Sequence, residues 1–215
     1  MQGMSGSPVY IDGRLAGAVA LGFDLAKEPI CGIRPIEEML RVEPDPKPAR
    51  SVIAQRGRIL SGPAFGEARL QEIATPVSFA GFTAATLEHF APQLRELGLD
   101  PRQGVSGGGR INDALGDPKR LEPGSMISVQ LLSGDMNMGA DGTITLLDGD
   151  KIYAFGHRLM AGGETEYPFA RAEVLALLPA LNSSFKISQA KEWMGTITED
   201  RTTAICATSG LKTRS

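Results

Sequence analysis

Short runs of apolar residues, bounded by glycine-containing turn dipeptides, dominate the chain and predict strands rather than long helices. Pro8-Val9-Tyr10-Ile11 is a β-prone run, Asp12-Gly13 is a hairpin-turn pair, and Arg14 to Leu21 is a second run of small and apolar residues. Together they predict a β-hairpin. Met126 to Leu132 sets Ile127, Val129 and Leu131 on one face and predicts a strand, turned at Gly134-Asp135. Gly142 to Leu147, then Asp148-Gly149, then Lys151 to Phe155 predict a second hairpin, whose returning strand ends on Gly156-His157.

Helical periodicity is confined to two places. Residues 35–41 predict a short helix with Pro35 at its first position and glutamates in its first turn. After a strand over Pro76 to Phe82, Thr83 is placed to cap a helix carrying Leu87, Phe90, Leu94 and Leu97 on one face and ending at Gly98. Pro92 lacks a backbone donor, so a kink or two short helices are expected there. The Pro-rich stretch from Pro44 to Pro48 predicts a linker. The chain then divides into a serine-bearing hairpin segment over 1–43, a linker over 44–60, a mixed strand and helix insertion over 61–118, and a histidine-bearing β segment over 119–215.

Composition supports a turn-rich, mainly β protein, since 26 glycines and 14 prolines stand among 215 residues. The net charge of −3, with basic residues scattered, lacks the footprint of a nucleic-acid binder. Leu15 to Phe23, the longest apolar stretch, ends at Asp24, short of the roughly 20 residues that span a bilayer. Neither a membrane span nor an export signal is read. Cys31 and Cys206 are far apart without metal-ligand spacing, and both are expected to be buried thiols; no metal or organic cofactor is implied.

Candidate chemistry begins with Gly3-Met4-Ser5-Gly6-Ser7-Pro8, of the form G-x-S-G-x-P. The glycines permit unusual dihedrals, so a serine hydroxyl can project from a tight turn while the N–H groups of Gly3 and Ser5 converge on a developing oxyanion. The bland alternative is a Gly/Ser turn ahead of a hairpin. His157, at a strand end, suits a general base because a rigid element holds the imidazole in place. His89, beside the helical stripe, reads as a surface or packing residue. The glycine-rich stretch from Gln103 to Arg110 lacks the phosphate-loop pattern and reads as a flexible loop. Ser183-Ser184-Phe185-Lys186 fits S-x-x-K, the serine–lysine pair of penicillin-binding enzymes, without the companion motifs.

GMSGSPVYIDGRLAGAVALGFDLAKEPICGIRPIEEML, over residues 1–40, resembles the serine-bearing segment of the SpoIVB-type sporulation serine peptidase family, and more distantly the G-x-S-G-x-P hairpin of chymotrypsin-like proteases. GTITLLDGDKIYAFGHRL is similar to the family segment that carries the histidine, and ALLPALNSSFKISQ and MGTITEDRTTAICATSG resemble later parts of members in multidomain bacterial envelope proteins. The resemblance implies Ser5 as nucleophile, with Ser7 the alternative, His157 as base, and a protein or peptide substrate at the cell envelope or outside the cell. It also implies a rearranged or partial chymotrypsin-like double β-barrel with a helical insertion.

Arg158 departs from the family's usual proline, and Ala204 to Ala207 replaces a glycine-rich turn. The family's histidine precedes its serine, whereas Ser5 here precedes His157; a permuted site, or the end of one unit joined to the start of another, satisfies that order. The family's acid is expected upstream of Met1, leaving Asp200 and Asp135 as replacement candidates. A non-catalytic binding or scaffold module that keeps the fold without a complete triad is the competing reading.

Overall fold

At Asp12-Gly13 both residues take positive φ, 49° and 74°, which is what a two-residue hairpin loop of mirror-image twist requires. The loop joins β1 (Pro8–Ile11) to β2 (Arg14–Phe23). The computed structural model describes residues 3–23, 30–42, 64–65, 68–104, 111, 113–179 and 184–213. The expected linker at 44–60, Ser183, and most of the glycine-rich stretch lie outside these residues.

The long β2 organises a five-stranded sheet. β3 (Cys31–Pro35) pairs with it on one side, and β1 and then β5 (Ala68–Glu72) on the other; β4 (Ala64–Phe65) pairs with β5. α1 (Ile36–Leu40) follows β3 directly and buries Met39 completely.

The larger sheet closes on itself. β8 (Met126–Leu132), β9 (Asn137–Asp148), β10 (Lys151–Ala154), β13 (Ile205–Ser209), β12 (Phe185–Asp200) and β11 (Gly163–Leu178) form a six-stranded antiparallel barrel in that spatial order, with β11 returning to β8. Closure satisfies both edges of every strand. Ile127, Val129, Ile144, Ile152, Phe155, Phe169, Met194, Ile197 and Ile205 fill the core. β6 (Thr75–Ala80) extends the barrel beside β9, and β7 (Leu99–Gln103) lies parallel to β6 after the crossover helix α2 (Ala84–Glu96). Segment 61–118 is therefore shared, with β5 in the serine-bearing sheet and β6 and β7 in the barrel sheet.

Five expectations are corrected. α2 runs unbroken through Pro92, and the carbonyl that loses its helical donor there belongs to Glu88, an exposed residue. Its packed stripe is Leu87, Ala91 and Leu94, while Phe90 and Leu97 are exposed. The second hairpin turns on Gly149-Asp150, since Asp148 pairs with Lys151, and Cys31 is exposed whereas Cys206 is buried. Of the expected double barrel, one barrel is closed; among the described residues the serine-bearing sheet is open.

Candidate active site

The serine loop is wedged between β2 and β9. Ser7 N–H donates to Met4 O at 2.9 Å, closing a turn with Ser5 and Gly6 at its centre, and Gly6 takes φ 88° as the third position of such a turn requires. Gly6 N–H donates to Val19 O on the β2 side. On the other side every free carbonyl of the loop finds a barrel donor. Thr143 Oγ1 and Lys186 Nζ both donate to Gly3 O at 3.1 Å, Thr143 N–H donates to Ser5 O at 3.0 Å, and Thr145 Oγ1 donates to Gly6 O at 2.7 Å. Ser5 is fully buried. Among the described residues the Gly3 and Ser5 amides donate to no acceptor.

His157 is presented by a strained turn. β10 ends at Ala154, Phe155 adopts φ 71°, and Gly156 N–H donates back to Ala154 O at 2.9 Å, the three-residue γ-turn in its rare positive-φ form. Phe155 holds this conformation because its ring fills the core over Gly142, where any side chain would collide with it. Gly156 comes next at φ 70°, facing Ala18 and Ala20 of β2, so there too a side chain would crowd the seam.

His157 Nδ1 lies 2.7 Å from Arg158 O. A carbonyl only accepts, so Nδ1 carries the hydrogen and Nε2 keeps a free lone pair. Burial pushes the imidazole down to about 4; the bond to Arg158 O opposes that, and the Arg34 and Arg158 charges reinforce it. His157 is neutral at pH 7, the form in which a base accepts a proton.

The two segments meet at Phe155: Gly6 abuts its backbone, and its ring lies 5.8 Å from the His157 ring. Among the described residues, Ser5 Oγ and His157 Nε2 are the two buried side-chain polar atoms without a hydrogen-bond partner. Accordingly no hydrogen bond joins them. Buried polar groups are nearly always satisfied, so these two atoms stand out.

Asp200 does not orient His157. Its carboxylate accepts from the N–H groups of Leu159 at 2.7 Å, Met160 at 2.8 Å and Gly162 at 3.0 Å, so it holds the loop after the histidine. Burial pushes this carboxyl up while the three amides oppose the shift. Asp135 is exposed in the connection before β9. The partner of His157 Nδ1 is the Arg158 carbonyl rather than a carboxylate. His89 is an exposed helix residue stacked edge-on to Phe90.

Sequence reasoning missed the residues that hold the site. Glu72 lies 3.2 Å from Arg34 and 3.9 Å from Arg158, and Arg34 Nε donates to Gly156 O at 3.2 Å, tying the serine-bearing sheet to the histidine turn. Lys186 reaches the serine loop from β12, and burial holds its ammonium below the ordinary range. No local pattern marks these contacts, the S-x-x-K match having pointed Lys186 to Ser183 instead, because each works across more than 30 intervening positions. No family model matches the chain, nor does any curated protein or solved structure.

Proposed function

We propose that the chain is a serine endopeptidase of SpoIVB type, built on a barrel related to those of chymotrypsin-like enzymes. Ser5 Oγ attacks the scissile carbonyl as His157 Nε2 takes its proton. The Gly3 and Ser5 amides hold the oxyanion, and His157 returns the proton to the leaving amine. Water then attacks the acyl-enzyme, its proton passing to Nε2, and Ser5 is released. The observation that supports this reading is that Ser5 Oγ and His157 Nε2, on segments that meet at Phe155, are both buried without a hydrogen-bond partner among the described residues.

A second reading, a non-catalytic binding or scaffold module, is favoured by the complete burial of Ser5 and by the engagement of Asp200 with backbone amides. A fluorophosphonate probe separates the two, since an activated serine is phosphonylated and an ordinary turn serine is not. Labelling is expected at Ser5, lost in Ser5→Ala, retained in Ser7→Ala and Ser183→Ala, and reduced by a factor on the order of 10⁴ in His157→Ala. A folded chain that stays unlabelled under saturating probe gives the scaffold reading instead.

A further inference from the structure

A groove of about 890 Å³ lies against the barrel on the face away from its core, and the peptidase reading leaves it unused. Side chains alternate along a strand, so while Val77, Ile127, Val129 and Ala140 fill the interior, Ser78, Ser128 and Asp141 point to this other face. The first half of β12 contributes Ser188 to the same lining.

Asp141 is 5% exposed and lines the groove. Ser188 Oγ donates to its Oδ2 at 2.7 Å, and Ser128 and Ser78 line the groove on the neighbouring strands, their hydroxyls easing the burial of the same carboxylate. Gln130 Nε2 in turn donates to Ser128 Oγ at 3.0 Å. The Ser188 hydroxyl spends its one proton on Asp141, so its oxygen presents lone pairs to the groove, where the Asp141 carboxylate and the Ser78 and Ser128 oxygens add further acceptors. Among the described residues no cation pairs with Asp141. Arg102 is bound to Asp100 at 2.6 Å, and Lys186 reaches Gly3 O. Burial pushes the Asp141 carboxyl above its ordinary range, against the three hydroxyls, and a cation would supply compensation that neutral hydroxyls do not.

We propose that this groove binds a primary ammonium group, held by Asp141 and the oxygens of Ser78, Ser128 and Ser188. An ammonium is a compact charge with three donors and suits a cluster of acceptors, whereas a guanidinium needs both carboxylate oxygens along one open edge, and Ser188 already occupies Oδ2. Asp141 stands two positions before Thr143, the residue that holds both Gly3 O and Ser5 O. The ammonium of a substrate lysine, seated here, lies beside the serine loop; that assignment to a peptide rests on the peptidase reading, while the ammonium site does not.

NMR titration of the whole chain with n-butylamine, n-butanol and n-butylguanidine at pH 7 tests the site without any catalytic readout. Butylamine is expected to saturate at least about tenfold more tightly than either analogue, matching the loss of one charge-assisted contact. Asp141→Asn is expected to remove that preference, and Ser188→Ala to weaken it several-fold with the thermal midpoint nearly unchanged. Equal affinity for butylamine and butanol in the unsubstituted chain overturns the proposal, whether or not Asp141→Asn folds, and so does a preference untouched in Ser188→Ala and Asp141→Asn. Butylamine binding in a chain whose Ser5 is never phosphonylated leaves the ammonium site standing and removes the peptidase reading; Ser5 labelling without butylamine preference does the reverse. With peptide esters, a lysine side chain is expected to raise kcat/KM about tenfold or more over norleucine, and equal values overturn the lysine assignment.

Discussion

Gly6 has no room for a side chain. A Cβ there would collide with the Thr143 carbonyl and the Phe155 backbone, and φ at 88° already disfavours any other residue. Gly6→Ala is expected to destabilise by about 3 kcal/mol or more, whereas Gly13→Ala, with open space around it and only its φ of 74° to resist, costs about 1 kcal/mol. Urea unfolding of the two variants measures the contrast, and equal losses would remove the wedged-loop account. At His157 the sign follows from burial. Its folded value near 4 lies below the ordinary 6.5, so the unfolded chain binds the proton more readily. Stability from this residue is full above pH 6.5 and is lost as pH falls toward 4, to a limit on the order of 3 kcal/mol. Glu72, Asp141 and Asp200, whose carboxyls burial pushes up, act in the opposite sense. The measurement is therefore the difference between the chain and His157→Gln, which should flatten the loss of thermal midpoint between pH 7 and pH 5.

The two hairpins differ in their turns. Asp12 and Gly13 both take positive φ, whereas in the Gly149-Asp150 loop only Gly149 does, at 62°, as in the turn type that places glycine first. Valine at Gly13 or Gly149 should lower stability by about 1–2 kcal/mol each, because a β-branched residue resists positive φ. Asp150→Val should cost less than Gly149→Val. Thermal midpoints of the three variants check the order, and a larger loss at Asp150 would contradict the turn assignment. Asp200 acts at this scale as well. It binds the amides of Leu159, Met160 and Gly162 in one turn, and its pairing with β13 through Ile205 places it against the loop it holds.

Between the sheet and the barrel, Ala18 and Met39 pack on Tyr153, Ala204 and Cys206, and small residues let β2 approach the histidine turn closely. Polar contacts reinforce that seam through Glu72, whose side chain is 9% exposed between two arginines. Removing Glu72 leaves Arg34 and Arg158 facing each other beside a buried histidine. Glu72→Gln is expected to destabilise by about 2–3 kcal/mol. Arg34→Ala and Glu72→Ala should be non-additive in a double-mutant cycle because they share one contact. Additivity within about 0.5 kcal/mol would show that apolar packing alone joins the two sheets.

Local chemistry made the hairpins, the helix cap at Thr83 and the strand over Met126–Leu132 legible, because turn dihedrals, capping and alternation depend on residues a few positions apart. The same local reading singled out Ser5 and His157 as the residues to watch. It misplaced the packed face of α2 because Ala91, rather than Phe90, is what the neighbouring core admits, and it turned the second hairpin one residue early because two adjacent pairs, Asp148-Gly149 and Gly149-Asp150, both suit a turn. Barrel closure, the wedging of the serine loop between β2 and β9, the capture of Asp200 by three amides and the buried Asp141 cluster were decided only in three dimensions. Each joins residues tens of positions apart, and their pairing follows from how strand registers bring faces together, a quantity no local pattern encodes.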